Sequence, residues 1–251
     1  MLIDHRLSNV SKIGNCNLVG KDAFFKKVSI DTRSISKGDI FLALSGPNYD
    51  GHDFIDEALE KGASCIITEK TIPSATHIKT DNCFLFLEKL ANFQRSNFKK
   101  IIISITGSNG KTSTKEILYQ LTRELFENKD EVFKSPGNWN NRLGLYLSLL
   151  RLDNSHKLAI FEIGTNAIGE IKELASFLKP NIGVITNIGN SHLEGLKNIN
   201  GVLEEKTDLF SYVSSSGACL IRAKEDHLVK AKKKIKKRKK IFLRPKDSSL
   251  S

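Results

Sequence analysis

The sequence contains few cysteines and no long apolar run. None of its apolar stretches approaches the roughly 18 residues that a bilayer-spanning helix needs. The first ten residues, MLIDHRLSNV, also lack the apolar core of a secretory signal. Cys16, Cys65, Cys83 and Cys219 are far apart in the sequence, without the Cys-x-x-Cys pair of a zinc or redox site. We therefore expect a cytoplasmic protein with no transmembrane segment, whose cysteines are packing residues.

Acidic and aromatic residues are scarce in the lysine-rich tail, residues 222–251. Residues 224–246 hold twelve lysines or arginines against two acidic residues, and so carry +10 of the formal net charge of +11. Such a segment could bind RNA or an anionic membrane surface. However, residues 230–240 contain no aromatic side chain for base stacking, which favours a solvated helix or a loose end. Nucleic acid is therefore not expected as a partner.

The chain of 251 residues is long enough for two domains. Residues 1–99 contain short candidate strands and helices, which predicts a small α/β domain. In residues 100–221, candidate strands alternate with helices; the strands are 101–105, 158–163 and 182–187. This alternation predicts an α/β domain with a mostly parallel sheet covered on both faces.

The run IIISITGSNGKTS at residues 101–113 is an apolar strand followed by a glycine-bracketed turn. Gly107 and Gly110 would let backbone N–H groups point to one spot, where the next helix begins with its positive dipole end. Lys111 would then reach the β- and γ-phosphates of ATP, and the Thr112 hydroxyl would coordinate Mg²⁺. The turn is two residues shorter than the usual phosphate loop, so the alternative is an ordinary strand–turn–helix with a solvated lysine.

Polar residues follow the predicted strands of the second domain. Glu162 lies within an apolar strand, where a buried carboxylate is costly unless a cation compensates it. A magnesium ion near the phosphate loop would do so; alternatively, Glu162 falls on a solvated strand end. His192 follows the next strand and becomes a metal-ligand candidate because the carboxyl ends of parallel strands share one sheet edge. A loop histidine is otherwise usually structural or exposed.

Lys206 lies at the centre of an apolar helical stripe. At about 100° per residue, five apolar residues fall within roughly 60° of it: Val202, Leu203, Leu209, Phe210 and Val213. A buried lysine amine is shifted towards its neutral form. A neutral amine can react with carbon dioxide to give a carbamate, which is an anionic metal ligand. The alternative is that the Lys206 ammonium reaches past the stripe to water.

Several short segments together resemble the Mur ligase family, in the order found there. They are DTR (31–33), GDIF (38–41), DGHDF (50–54), TGSNGKT (106–112), GNWNN (137–141), EIGTN (162–166), GEI (169–171), TNIG (186–189) and HLEG (192–195). The resemblance extends from about residue 25 to residue 213. GNWNN and EIGTN favour the family member that adds D-alanyl-D-alanine over its diamino-acid-adding relative.

The resemblance implies a role for each matching residue. The N-terminal domain would hold the UDP end of a UDP-N-acetylmuramoyl-tripeptide with Thr32 and Arg33. The central domain would bind ATP with the loop residues and Asn141; the loop residues are Gly107, Ser108, Asn109, Gly110, Lys111, Thr112 and Ser113. Two magnesium ions are expected, with Thr112, Glu162, His192 and a carbamylated Lys206 as ligands. Lys111, Lys206 and His192 would be the catalytic residues, in a protein expected to be a monomer.

The implied reaction is ATP-dependent amide bond formation. A peptide carboxylate first takes the γ-phosphoryl group, and the amine of D-alanyl-D-alanine then displaces phosphate from the acyl phosphate. The resemblance implies a further C-terminal domain, which we do not expect within this chain, and the lysine-rich end looks unlike the family. Three hypotheses remain: an incomplete ligase, a non-catalytic module that binds ATP or UDP-linked precursor, and a nucleic-acid-associated ATPase driven by the tail.

Overall fold

The computed structural model describes residues 4–191, 193–222, 235 and 239–243, with residues 193, 194 and 239–243 described by their backbone alone. This part of the chain forms two compact units. Unit 1 runs to Phe98 and includes Leu149–Asp153. Unit 2 comprises Lys99–Ser148 and the chain from Asn154 onwards.

Unit 1 contains a five-stranded sheet and a short hairpin. Its strands are β1 (Asn17–Val19), β2 (Val28–Ser29), β3 (Ile40–Leu42), β4 (Ser45–Gly46), β5 (Tyr49–Asp50), β6 (Cys65–Thr68) and β7 (His77–Lys79). The sheet order is β1-β7-β6-β3-β2, and β4 pairs with β5 in the hairpin. Within the sheet, only β1 runs antiparallel to its neighbour.

The helices of unit 1 cover the apolar strands. They are α1 (Leu7–Gly14), α2 (Ile55–Glu60) and α3 (Cys83–Asn97), with 3₁₀ turns at Thr32–Ser34 and Gly51–Phe54. The stripe Ile55 and Ala58 packs with Phe41 and Ile66 of the sheet because helical spacing places both residues on one face. Gln94 is buried in α3 and donates to the carbonyl oxygens of Leu149 and Leu152.

Unit 2 is built around a six-stranded sheet in which every strand is parallel to its neighbours. Its strands are β8 (Ile101–Thr106), β9 (Val132–Lys134), β10 (Leu158–Glu162), β11 (Ile182–Ile185), β12 (Ala218–Arg222) and β13 (Lys239–Leu243). The order is β13-β12-β11-β8-β10-β9. Because β10 and β11 lie on opposite sides of β8, their carboxyl ends and that of β8 meet where the strand order changes direction, which is where such sheets bind ligands.

The helices of unit 2 are α4 (Lys111–Arg123), α5 (Arg142–Leu149), α6 (Glu170–Leu178), α7 (Leu193–Leu196) and α8 (Ile199–Ser211). Ile103 and Ile105 of β8 are buried in a cluster to which Leu118 and Tyr119 of α4 contribute. Side chains of β8, β10 and β11 alternate between the two sheet faces, and helices cover both. The α/β prediction, including the parallel sheet of the second domain, is confirmed.

The strand β13 lies in the segment predicted to be a lysine-rich tail. Its backbone pairs in parallel with β12, with Ile241 opposite Leu220. The chain at 239–243 is therefore a strand rather than part of a solvated helix or loose end. The sequence Ile-Phe-Leu has high β propensity, and β12 offers it an unpaired edge. Residues 223–234, 236–238 and 244–251 lie outside the described part of the chain.

All four cysteines are free, as expected, and Cys65, Cys83 and Cys219 are buried. Burial raises the pKa of Cys65 and of Cys83 to about 12, so both remain thiols at neutral pH. None of the helices in the described part of the chain combines the length and apolar character that crossing a bilayer requires.

Candidate active site

The glycine turn after β8 opens at the carboxyl edge of the unit 2 sheet. Gly107 has φ 153° and Gly110 has φ 76°, backbone conformations that side-chain-bearing residues rarely adopt. A Cβ on Gly107 would also collide with the hydroxyl of Thr186. The turn leads directly into α4, whose first residue is Lys111. The predicted strand, turn and helix are therefore present.

The turn is held by the segment that follows β11. Ser108 Oγ donates to the carbonyl oxygen of Gly189 and accepts from the N–H of Gly189, both at 2.9 Å. Thr186 Oγ1 donates to the Asn109 carbonyl oxygen at 2.6 Å, and the Asn109 N–H donates to Asn187 Oδ1 at 3.0 Å. The segment after β11, which is distant in sequence, thus holds the turn after β8 in one conformation.

Glu162 meets the first turn of α4. Its side chain is 2% exposed at the end of β10. Thr112 Oγ1 donates to Glu162 Oε2 at 2.8 Å, and Asn140 Nδ2 donates to Glu162 Oε1 at 2.8 Å. Glu162 is therefore a buried carboxylate aimed at the phosphate-loop threonine, and not a solvated strand end. Asn140 was not predicted to take part in the site, although it stands beside Asn141 in GNWNN.

Two lysines of α4 have different environments. Lys111 Nζ donates to the Gly107 carbonyl oxygen at 2.9 Å, so its side chain folds back over the turn. Lys115 is fully buried, with Nζ 3.7 Å from Glu162 Oε2. Its Nζ also donates to the Gly137 carbonyl oxygen. The sequence prediction does not include Lys115.

Lys206 is buried in the apolar face of α8, with 1% of its surface exposed. Burial, together with the nearby Lys111 ammonium, lowers the pKa of Lys206 to about 8 against the opposing effect of the Glu205 carboxylate. The alternative in which the Lys206 ammonium reaches bulk water is therefore wrong. A substantial fraction of this amine is neutral at slightly alkaline pH, which is the form that reacts with carbon dioxide.

The neighbour of Lys206 fixes α8 to α6. Glu205 is 2% exposed and accepts from the N–H groups of Gly169 and Ile171, at 2.6 and 2.7 Å. It also accepts from Thr165 Oγ1 at 3.2 Å. A carboxylate at the N-terminus of a helix is favoured by the unpaired N–H groups and the dipole there. Glu205 is a second buried charge that the sequence prediction omits.

The remaining predicted residues of unit 2 are placed as follows. Asn141 Oδ1 accepts from the Gly144 N–H at 2.8 Å and so caps α5. Ser113 lies with the phosphate-loop residues around an open pocket of about 400 Å³. The pocket is lined by Ser108, Asn109, Gly110, Lys111, Thr112, Ser113, Asn138, Asn140 and Glu162. His192 lies outside the described residues.

A second pocket, of about 290 Å³, opens beside Lys111. Its other lining residues are Asn140, Asn141, Arg142, Gly164, Thr165, Asn166, Glu170, Glu173 and Leu174. The charged groups are paired: Arg142 Nε donates to Glu173 Oε1 at 2.9 Å, and Glu170 Oε2 accepts from the Asn166 N–H at 2.6 Å. The pocket therefore has a polar lining next to the Lys111 side chain.

Thr32 and Arg33 line a pocket of about 580 Å³ in unit 1. The other residues around it are Ile30, Asp31, Phe41, Tyr49, Gly51, Phe54 and Glu57. Arg33 is largely exposed and forms an ion pair with Asp31 at 2.7 Å, which lowers the pKa of that carboxyl. The pocket thus combines exposed aromatic rings, on Tyr49 and Phe54, with an exposed guanidinium.

The donor set around Glu162 fits magnesium. Mg²⁺ prefers oxygen ligands and is usually held by one or two carboxylates together with waters and substrate phosphates. Glu162 and Thr112 provide a carboxylate and a hydroxyl at the mouth of the glycine turn. Among the described residues no group of three or more His, Cys, Asp and Glu side chains lies close enough to hold a metal by itself. A nucleotide-bound ion does not need such a group.

Known families match most of the chain. Residues 25–101 match the family described as "Mur ligase family, catalytic domain", and residues 105–248 match the "Mur ligase middle domain". The chain belongs to the Mur ligase family. In this Mur ligase the match continues to residue 248. We expected the resemblance to end near residue 213 and the lysine-rich end to be unlike the family, and both expectations are wrong. Part of that end forms strand β13, which pairs with β12.

Curated relatives of this Mur ligase chain are named UDP-N-acetylmuramoyl-tripeptide--D-alanyl-D-alanine ligase. The protein of Rickettsia prowazekii (strain Madrid E) is 40% identical over 217 residues, which are 85% of this chain and 45% of the relative. That of Buchnera aphidicola subsp. Acyrthosiphon pisum (strain APS) is 34% identical over 236 residues, 94% of this chain and 51% of the relative. The chain spans about half the length of the curated relatives it matches.

Solved Mur ligase structures have the same fold. MurF from Acinetobacter baumannii superposes with a TM-score of 0.81 at 26% identity, over 93% of this chain and 52% of that one. The MurF ligase from Thermotoga maritima, solved in complex with ADP, gives a TM-score of 0.74 at 32% identity, over 87% of this chain and 50% of that one.

Proposed function

We propose that this chain provides the precursor-binding and nucleotide-binding parts of a Mur ligase that joins D-alanyl-D-alanine to a UDP-N-acetylmuramoyl-tripeptide. The observation that carries the proposal is the contact between Glu162 and Thr112 at the glycine turn. It supports the proposal because a buried carboxylate beside the phosphate-loop threonine is the kind of ligand that the magnesium of a bound nucleotide needs. The names of the relatives supply the substrates, which are those of the longer proteins.

The chemical problem is that a carboxylate does not react with an amine at neutral pH. ATP would supply the γ-phosphoryl group that converts the peptide carboxylate to an acyl phosphate, with ADP leaving. Attack by the dipeptide amine then forms the amide bond and releases phosphate and a proton. The protein's contribution is to bind the reactants in line and to neutralise the charge on the transferred group.

Residues of unit 2 divide this work. The N–H groups of the glycine turn and the start of α4 hold phosphate oxygens, and Lys111 turns from the Gly107 carbonyl to the β- and γ-phosphates. Thr112 and Glu162 would hold magnesium, which neutralises phosphate charge when it is bound. His192 and a carbamylated Lys206 would complete the metal ligands, with two ions expected. The amine of Lys206 is suited to carbamylation because its burial favours the neutral form.

The two substrate ends are held at different places. The pocket beside Lys111 accepts the peptide end of the precursor, because its amide and hydroxyl groups lie next to the phosphate-binding lysine. The pocket of unit 1 accepts the UDP end, with Arg33 exchanging its Asp31 partner for a phosphate oxygen. The protein acts as a monomer in the cytoplasm, where ATP and UDP-linked precursors occur together.

Magnesium-dependent nucleotide binding tests the proposal. We expect the purified chain to bind ADP more tightly with Mg²⁺ than without, measured by calorimetry. Glu162→Gln should weaken Mg²⁺-ADP binding by at least ~10-fold, because an amide is a poorer magnesium ligand than a carboxylate. Glu124→Gln is the matched control, since Glu124 is an exposed carboxylate that pairs with Lys129. Equal affinities for the three proteins would contradict the proposed magnesium site.

Catalysis is tested by adding UDP-N-acetylmuramoyl-tripeptide and D-alanyl-D-alanine with Mg²⁺-ATP. Release of phosphate that requires both substrates, together with a product of the joined mass, indicates ligation. Nucleotide binding without phosphate release would instead favour the module that binds ATP or UDP-linked precursor without ligating them.

A further inference from the structure

Lys115 is an unusual residue for its position. It stands in the second turn of α4, and every other residue of that helix retains some exposure to solvent. Its own exposure is 0%. Lysine is almost never fully buried unless a partner compensates its charge. The phosphate-loop motif ends before Lys115, so the motif does not account for its burial.

The contacts of Lys115 join three elements of unit 2. Its Nζ donates to the carbonyl oxygen of Gly137, in the segment that leads to Asn140. It lies 3.7 Å from Glu162 Oε2 at the end of β10, and 3.7 Å from Glu116 Oε1 on its own helix. Glu116 in turn pairs with Lys134 of β9. Charges of alternating sign therefore run from Glu162 to the protein surface.

Among the described residues, Lys115 is the only cationic side chain within 4.0 Å of Glu162. Lys111 donates to the Gly107 carbonyl oxygen instead. Breaking a buried ion pair by removing one partner is strongly destabilising because the remaining charge is left uncompensated. The ammonium of Lys115 is not hydrogen-bonded to Glu162, whose Oε1 and Oε2 accept from Asn140 and Thr112. A carboxylate oxygen with one donor can still coordinate a metal ion.

We propose that Lys115 is a positioning residue that serves as the resident counter-cation of Glu162. It compensates the charge of Glu162 and ties the Gly137–Asn141 segment to α4 before magnesium arrives, and the two cations share the carboxylate afterwards. This role rests on the proposed function for its magnesium partner. The pairing of Lys115 with Glu162 in the nucleotide-free protein does not depend on that function.

A double-mutant cycle on the nucleotide-free chain tests the pairing. Lys115→Met should lower Tm by about 10 °C, because it leaves Glu162 buried without a cation. Adding Glu162→Gln removes the unpaired charge, so the double variant should recover most of that loss and be at least as stable as Glu162→Gln alone, in which Lys115 has lost its Glu162 partner. Lys115→Arg, which keeps the positive charge, should lose less than Lys115→Met. Lys134→Met is the matched control, since it removes the other lysine that contacts Glu116 and should not be rescued by Glu162→Gln.

Losses that add in the double variant would overturn the proposal, because Lys115 would then act only through the Gly137 carbonyl. The same conclusion follows if neither Lys115→Met nor the double variant folds. Recovery of a folded protein only in the double variant supports the pairing.

A ligand measurement tests the second half of the proposal. Mg²⁺-ADP should raise the Tm of Lys115→Met by more than it raises that of the wild type, because the ion compensates a carboxylate that the variant leaves unpaired. An equal or smaller shift would overturn the sharing of Glu162. Absence of a Mg²⁺-ADP shift in the wild type would count against the proposed function, while the double-mutant cycle would still decide the pairing.

Discussion

Lys206 shows how burial changes the chemistry of a single side chain. It occupies the middle of the packed face of α8, between Leu203 and Leu209, where an ammonium loses its hydration. The pKa of Lys206 is about 8 in the folded chain against an ordinary value of 10.5. The folded protein therefore tolerates the charged amine at the cost of stability, and the neutral amine without that cost.

This cost predicts a pH-dependent effect of Lys206→Met. Between pH 8 and 10.5 the unfolded chain binds more protons at this site than the folded chain, so wild-type stability rises with pH there. Below pH 8 the penalty is complete and corresponds to roughly 3 kcal/mol. Without nucleotide, metal or bicarbonate, Lys206→Met should be more stable than the wild type at pH 7 by up to that amount, with the difference shrinking towards pH 10.

Urea unfolding between pH 7 and pH 10 measures this difference. Lys172→Met is the matched control because Lys172 is exposed on α6, so its replacement should change stability little at any pH. A difference between wild type and Lys206→Met that stays constant over this range would show that the charge of Lys206 is not the cause.

At the scale of elements, α6 and α8 are joined by one carboxylate. Glu205 leaves α8 and satisfies two N–H groups at the start of α6 that have no partner within that helix. The same α6 terminus borders the pocket beside Lys111, to which Glu170 and Thr165 contribute. The position of Lys206 and the shape of that pocket thus depend on the same contact.

We expect Glu205→Ala to lower the free energy of unfolding by about 3 kcal/mol, because it leaves the buried Ile171 N–H and the half-buried Gly169 N–H without their acceptor. Asn198→Ala is the matched control: Asn198 caps the N-terminus of α8 itself, and a lost cap costs about 1 kcal/mol. Denaturant unfolding measures both. A loss for Glu205→Ala no greater than that for Asn198→Ala would mean that the joint between the helices contributes little.

At the scale of the whole molecule, the two compact units carry separate pockets. The unit 1 pocket contains Arg33 with the rings of Tyr49 and Phe54, and the unit 2 pockets surround Lys111 and Glu162. Each pocket is formed by residues of one unit alone. Ligands of different chemistry should therefore be recognised by different units.

Hydrogen exchange of the full chain tests this division. Mg²⁺-ADP should slow exchange at residues 106–113 and 186–189 while leaving β3 and β6 unchanged. A UDP-linked precursor should slow exchange around residues 30–33. Protection of unit 1 by Mg²⁺-ADP, with unit 2 unaffected, would reverse the assignment of the two pockets.

Local patterns predicted much of this architecture. The apolar run of β8 with its two glycines indicated the turn, because few other sequences provide a strand end and two such backbone conformations together. The burial of Lys206 followed from helical periodicity. Lys115 gave no comparable signal, since it lies between Thr114 and Glu116 on a helix whose other side chains all reach solvent. Its burial arises from the Gly137 segment and β10, which are distant in sequence.

By itself, the sequence determined the local conformations and the chemical groups available: a glycine turn, a lysine and threonine after it, a carboxylate on an apolar strand and a lysine on an apolar helix face. These properties depend on neighbouring residues and on the periods of helix and strand. Only the tertiary structure decided that Glu162 contacts Thr112, Asn140 and Lys115, and that Glu205 joins α8 to α6. Strand order and register set those distances, and they result from packing between distant segments, which no local pattern records.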